Sequence, residues 1–350
     1  MNLASLVWSD SLLRVITSDA EFVVPQEFRK ENLYWIKLFR DHEDRLYLRA
    51  SQNRQPFWVS SDKATFTPVD PIPGRGEPLP EYNCKVHPDS GLITALERHT
   101  LWTGNTTGHW SARQLPPDLK VRDVSFDGNG GLWCAGAVAS DRIPGEETEA
   151  AVRYQTEEGA PFEAQSPRLN IRDAGKVIAH GGLAELRSID AGGHPVVATS
   201  ICSSLLEDES SFVFFLGGQK TRVQKLKNEL ICHIDRPQTD TLRIFGCRGG
   251  LWKGSAPKLK RITIKESLME MLGLSGREIL VRGMDTSEES IALAVEIGQP
   301  DVLDVAQDPE FSAVCISMDG GVSFEMQQRF EFTDGVEALD VAFIDTATSS

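Results

Sequence analysis

Phe57-Trp58-Val59-Ser60-Ser61-Asp62-Lys63-Ala64-Thr65-Phe66 reads as an apolar strand, a tight polar turn and a return on an aromatic residue. Val314-Cys315-Ile316-Ser317-Met318-Asp319-Gly320-Gly321-Val322-Ser323-Phe324 repeats it, and Leu101-Trp102-Thr103-Gly104-Asn105-Thr106-Thr107-Gly108-His109-Trp110 is a looser copy. Self-similarity at a spacing of about 40 to 50 residues signals stacked sheets or a propeller, because one such unit cannot bury both of its faces alone.

Working outward, strand runs bounded by turn residues group into sets of up to four. They fall at about 33–69, 83–116, 121–167, 183–227, 230–264 and 279–330, with first turns such as Arg40-Asp41-His42-Glu43-Asp44 and Asp127-Gly128-Asn129-Gly130-Gly131. A lone strand near 336–346 and about three strands between 3 and 28 make one further set. The expectation is an all-β chain: one domain over 1–350, a seven-bladed β-propeller of four-stranded antiparallel blades. Its ring is closed by N- and C-terminal strands sharing one blade, so that no raw edge remains.

The chain has 350 residues, 40% of them hydrophobic, and a formal charge of −15. An acidic balance argues against nucleic acid, whose phosphates demand a basic groove, and favours a soluble protein with a cationic partner or none. No apolar run reaches the roughly 18 residues of a membrane helix. The N-terminus lacks a basic start, and Asp10 and Arg14 break its apolar stretch, so no signal peptide is expected. Six cysteines with no CxxC pair read as buried thiols in a reducing cytoplasm.

Ser317-x-Asp319-x-Gly321-x-Ser323-Phe324 resembles the Asp box (BNR repeat) of sialidase-like propellers and related binding propellers. Ser60-x-Asp62-x-Ala64-Thr65-Phe66 is one residue short of that pattern, and Thr103-x-Asn105-x-Thr107-x-His109-Trp110 keeps its spacing. Asp127-Gly128-Asn129-Gly130-Gly131-Leu132-Trp133 resembles the blades of bacterial sensor propellers. A short carboxylate in such a turn accepts backbone N–H groups, so Asp62, Asp127 and Asp319 are read as structural turn residues. The sialidase resemblance implies a late tyrosine nucleophile, three arginines on a carboxylate and an Arg-Ile-Pro segment near the start. Arg142-Ile143-Pro144 lies within the third set instead, and the tyrosines stop at Tyr154.

No other chemistry-bearing pattern emerges. Cys232-His233 stands alone on a strand, Asp301, Asp304 and Asp308 lack calcium-loop spacing, and no metal or cofactor is expected. Arg122, Asp123, Arg187, Arg243, Arg282 and Asp285 sit on first strands, where they could line an axis; hydrated lining and ion pairs are their ordinary roles. Trp58, Trp102, Trp133 and Trp252 occupy repeat-equivalent strands and read as core between sheets.

Loop lengths carry the functional expectation. Three second-to-third connections are long and acidic: Ser140 to Ala150, with Asp141, Glu146, Glu147 and Glu149 against Arg142; Ser203 to Ser210, with Glu207, Asp208 and Glu209; and Gly298 to Phe311, with Asp301, Asp304, Asp308 and Glu310. Their nets are −3, −3 and −4. Leu205 and Leu206, and Val302 and Leu303, put aliphatic anchors within the acid, a protein-interface composition. A short helix from Glu266 to Leu272, ended by Gly273, is expected in the connection to the last full set, with Leu268 and Leu272 inward and Met269 outward. The reading is a non-catalytic protein-binding propeller, monomeric when free, that docks a basic protein. Its sharpest form is an immunity-type inhibitor of a toxin or nuclease, and an assembly scaffold would use the same face. The alternative is a carbohydrate-active enzyme, sialidase-like hydrolase or lyase, or a glycan-binding lectin.

Overall fold

The computed structural model describes residues 2–27, 36–41, 43–49, 57–69, 84–87, 91–97, 99–106, 109–127, 129–139, 147–165, 186–190, 196–201, 210–215, 222–227, 229, 231–238, 241–246, 248–255, 258–274, 276–298, 309–332 and 335–344. In chain order the strands are β1 (Asn2–Ser9), β2 (Leu12–Ile16), β3 (Glu21–Glu27), β4 (Lys37–Arg40), β5 (Leu46–Arg49), β6 (Phe57–Ser60) and β7 (Thr67–Pro68). Then follow β8 (Cys84–Val86), β9 (Ile93–Glu97), β10 (Thr100–Gly104), β11 (Trp110–Gln114), β12 (Leu119–Phe126), β13 (Leu132–Ala139), β14 (Glu147–Gln155) and β15 (Glu163–Ala164). Next come β16 (Leu186–Asp190), β17 (Val196–Ile201), β18 (Ser210–Phe215), β19 (Arg222–Lys227), β20 (Ile231–Gln238), β21 (Thr241–Gly246), β22 (Gly250–Gly254) and β23 (Lys260–Thr263). Helix α1 (Ile264–Met271) precedes β24 (Glu278–Ser287), β25 (Ser290–Gly298), β26 (Pro309–Ser317), β27 (Glu325–Glu331) and β28 (Val336–Ile344).

The fold is a β-propeller of four-stranded antiparallel blades. Six sheets are each built of four successive strands, β4 to β7, β8 to β11, β12 to β15, β16 to β19, β20 to β23 and β24 to β27. Counted as such runs, the blades number six rather than the expected seven. The difference arises because the remaining sheet, ordered β28-β1-β2-β3, is not a run: it joins the last strand to the first three. β28 pairs with β1 from Asn2↔Ile344 to Ser9↔Val336.

Contacts divide the chain into two compact units. One comprises Met1–Ala95, Trp102–Ala112 and Thr263–Ser350; the other comprises Leu96–Leu101 and Arg113–Ile262. In the first, Leu6, Leu13 and Val15 pack on Leu38, Leu46, Leu48 and Phe66, with Trp8, Phe22 and Trp58 alongside. The rings of Phe22 and Phe66 lie 4.9 Å apart. Val314 and Ile316 pack on Val341 and Phe343. In the second, Val213, Phe215 and Leu226 meet Leu242, Ile244 and Trp252, while Leu119, Val124, Leu132 and Cys134 form a separate cluster.

Local sequence explains the elements. β12 alternates, burying Leu119, Val121 and Val124 and leaving Lys120 exposed, as a half-buried strand should. β25 is buried along all nine residues and is correspondingly an almost unbroken apolar run, interrupted only by Ser290 and Glu296 among the side chains that carry polar groups. Asp10 and Ser11 both adopt positive φ, 52° and 65°, the two-residue hairpin turn whose twist matches its strands. Cys134 and Cys315 are buried free thiols. Among the described residues no helix is long and apolar enough to cross a membrane.

Candidate functional site

First strands pack against first strands: β12 on β16, β16 on β20, β24 on β28 and β28 on β4. β28 thus takes, in the sheet it shares with β1 to β3, the place that a first strand holds elsewhere. A β-bulge recurs on these strands. The register skips Arg122 in β12, Arg187 in β16, Cys232 in β20, Arg282 in β24 and Leu339 in β28. A bulge re-aims the side chains around it, and here it sets carboxylates of one first strand against the backbone of the next.

Two such carboxylates act in the first unit. Asp340, following the β28 bulge, is 2% exposed; its Oδ2 accepts the Leu38 N–H at 2.9 Å and its Oδ1 the Val341 N–H at 3.0 Å. Asp285 of β24 accepts the Phe343 N–H at 2.8 Å and the Thr286 N–H at 2.8 Å. So β24 holds β28 through Asp285, and β28 holds β4 through Asp340. Cations complete the arrangement. Arg40 Nε lies 3.6 Å from Asp285, Lys37 Nζ lies 3.9 Å from Asp340 and donates to the Arg282 carbonyl at 2.6 Å, and Arg282 Nε donates to Glu296 at 2.6 Å. Glycine is required at position 283, because an added Cβ would overlap the Asp340 carboxylate.

Burial raises the Asp340 carboxyl, with Lys37 and the two N–H groups opposing. Burial likewise pushes Asp285 up to about 6, against the pull of Arg40. Chemically, the set offers one carboxyl pushed up to about 6 and an arginine beside it. Both oxygens of that carboxyl are engaged by main-chain N–H groups, which is the geometry of a strand staple. Of the first-strand residues singled out in the sequence, Arg282 and Asp285 fall within this cluster. Arg243 is fully buried on β21, a second strand, and Arg122 lies on β12 of the other unit. Lys37, Arg40, Glu296 and Asp340 were missed; the signal that could have found them is the repeated register skip, which a sequence shows only as a first strand one residue too long.

The turn carboxylates are all engaged. Asp319, between β26 and β27, takes the N–H groups of Val322 and Ser323 at 3.0 and 2.9 Å and the hydroxyls of Ser317 and Ser323 at 2.8 and 2.6 Å. Asp62, between β6 and β7, takes the N–H groups of Ala64 and Thr65 and the Ser60 hydroxyl. These bonds hold both carboxyls down at about 2, through Ser323 foremost for Asp319 and Thr65 for Asp62. Asp127, between β12 and β13, accepts Asn129, Gly131 and the Tyr154 hydroxyl, and Asp41 in the β4–β5 turn does the same with Glu43, Arg45 and the Tyr47 hydroxyl. Burial alone would raise Asp41 and Asp127; the donated bonds outweigh it and lower both. Asp319→Ala is expected to lower stability by about 1 to 2 kcal/mol, read as a shift of the urea midpoint, because it strips the turn of charge-assisted bonds at an exposed site. An unchanged midpoint contradicts that role.

The acidic connections sit differently. Glu146, Leu205, Leu206, Glu207, Asp208, Glu209, Asp301, Val302, Leu303, Asp304 and Asp308 lie outside the described residues, as does Arg142-Ile143-Pro144. Glu147 and Glu149 belong to β14, so the segment read as connection through Ala150 is strand from Glu147 onward. Glu310, the second residue of β26, pairs with Arg277 at 2.8 Å. Among the described residues no group of three His, Cys, Asp or Glu side chains could hold a metal ion.

No family model matches the chain, and no curated protein matches it. Among solved structures it is similar to YCF48 bound to D1 peptide, at 8% identity over 85% of this chain and 91% of that one, TM-score 0.45. It is also similar to YCF48 from Cyanidioschyzon merolae, at 8% identity over 83% and 92%, TM-score 0.43. Oligogalacturonate lyase from Vibrio parahaemolyticus is similar at 9% identity over 92% of this chain and 85% of that one, TM-score 0.49.

Proposed function

We propose that this chain is a non-catalytic protein-binding propeller that docks a basic partner through its acidic connections. The observation that carries the reading is one of topology. The segments 140–146, 202–209 and 299–308 each join the second strand of a sheet to its third, between β13 and β14, β17 and β18, and β25 and β26. In a meander of four antiparallel strands that connection always leaves from the same end of the sheet. In this reading Asp141 and Glu146, Glu207 to Glu209, and Asp301, Asp304 and Asp308 recur in equivalent connections of three sheets, where opposite charge raises association rate and the aliphatic pairs Leu205-Leu206 and Val302-Leu303 would hold the complex.

In this reading the Asp62 and Asp319 turns are degenerate Asp boxes that shape blades. The protein works in the cytoplasm as a monomer until it meets its partner. An immunity-type inhibitor of a cationic toxin or nuclease is its sharpest form, and an assembly scaffold is the broader one. The enzyme alternative is disfavoured because Asp285 is committed to the β28 backbone and to Arg40, and Arg282 to Glu296.

The test is a charge reversal. The Glu207→Lys, Asp208→Lys, Glu209→Lys variant is expected to lose at least about tenfold in affinity for a basic partner recovered with the wild-type chain, mostly in association rate. Equal capture by both proteins removes this segment from the mechanism, and hydrolysis of a chromogenic glycoside by the purified chain would favour the enzyme.

A further inference from the structure

Helix α1 divides its residues between two faces. Ile264 and Leu268 are buried, whereas Glu266 and Glu270, one turn apart, point outward beside the half-buried Met269. The chain then turns at Gly273, where the Gly273 N–H reaches the Glu270 carbonyl and the Leu274 N–H the Met269 carbonyl, bringing Leu274 back against the helix. Between helix, turn and the start of β24 lies a groove of about 700 Å³ to which Met269, Leu274, Glu266 and Glu270 contribute.

The groove's charges are unevenly committed. Its two cations are paired, Lys265 with Glu278 at 2.5 Å and Arg277 with Glu310 at 2.8 Å. Glu266 and Glu270 have neither an ion-pair nor a side-chain hydrogen-bond partner among the described residues. Like charges at this helical spacing repel, and a cation placed between them removes the repulsion. The Arg277–Glu310 pair also ties the groove to the start of β26, where the acidic segment 299–308 rejoins the sheet.

We infer that this groove is a docking site for an extended basic segment of a partner protein, with a lysine or arginine head between Glu266 and Glu270 and its aliphatic stem along Met269 and Leu274. Long cationic side chains suit such a surface because their stems are apolar and their heads stay wet. The inference rests on the proposed function and gives it a located anchor.

The test uses the full chain with methyl-labelled methionine, the Met269 resonance being assigned by Met269→Leu. Acetyl-Lys-Leu-Arg-Leu-Lys-amide is titrated in, with acetyl-Glu-Leu-Glu-Leu-Glu-amide as its opposite. The basic peptide is expected to shift the Met269 resonance and the acidic one to leave it. Glu266→Gln with Glu270→Gln is expected to weaken the basic peptide about tenfold. Bound basic peptide that leaves Met269 unmoved, or binds the double variant as tightly as wild type, overturns the groove. If that same peptide is then lost from the 207–209 charge-reversed variant, the acidic docking surface stands without the groove. A basic peptide that binds no form of the chain overturns both.

Discussion

Asp340→Ala lowers the stability of the chain by about 2 to 4 kcal/mol, since two buried main-chain N–H groups lose their acceptor at about 1 to 3 kcal/mol each. The carboxylate is 2% exposed, and its removal leaves the Leu38 and Val341 N–H groups without their acceptor and Lys37 without its counter-charge. Asp340→Asn keeps one acceptor oxygen and costs less, whereas Gly283→Ala reaches a similar loss from the other side by driving a methyl group into the carboxylate. Urea midpoints of the three variants check the ordering. A shift below about 1 kcal/mol for Asp340→Ala would show that β28 is held to β4 by apolar packing alone.

Glu229 contributes stability that falls as pH rises from about 4.5 to about 7. This carboxyl is 2% exposed, with Arg248 donating its N–H to Oε1 at 2.5 Å. A Cβ at Gly246 or Gly250 would overlap it, so two glycines of the β21–β22 turn close over the side chain. Burial pushes its pKa from 4.5 up to about 7, against the pull of Arg248 and Arg261. A carboxyl whose folded pKa lies above its unfolded value binds its proton more tightly when folded. That contribution is complete below about 4.5, is lost as pH passes about 7, and amounts to about 3 kcal/mol. Asp62 and Asp319, held at about 2, act in the other sense, their contribution being present above 3.8 and lost as pH falls through about 2. Between pH values of about 4.5 and about 7, Asp285, pushed up to about 6, adds to the fall while His87, pushed down to about 3 by burial, opposes it, so the Glu229 contribution is read as the difference between wild type and variant. Glu229→Gln, which has no proton to lose there, should lose less stability than the wild type as pH rises from about 4.5 to about 7, and identical pH dependence of the two melting temperatures would contradict the assignment.

The repeating strand-turn-strand unit was legible because period-two alternation and turn residues are local signals: Phe57 to Phe66 and Val314 to Phe324 form turns closed by Asp62 and Asp319. The pairing of the two chain ends was legible as well, since a lone last strand had nowhere else to satisfy its backbone. Helix α1 was readable from Leu268 and from the stop at Gly273, with a start two residues earlier than its apolar spacing suggested.

The first-strand staples were illegible for a physical reason. Whether Asp285 or Asp340 faces water or a neighbouring backbone depends on a one-residue bulge, and alternation alone assigns such a residue to the wrong side. Glu229 was hidden in the same way, because nothing in a lone glutamate before a strand announces that two glycines will pack over it. The blade count differed because the sheet that joins β28 to β1, β2 and β3 is not a successive run.

The measurement closest to the central claim is the association rate of the wild-type chain and of its 207–209 charge-reversed variant with the partner that the wild type retains, taken at low and at physiological salt. The account predicts a basic partner, a wild-type rate that falls steeply as salt is added, and a variant rate that is slow and nearly independent of salt. A neutral or acidic partner, or equal rates for the two proteins at both salt concentrations, would contradict it.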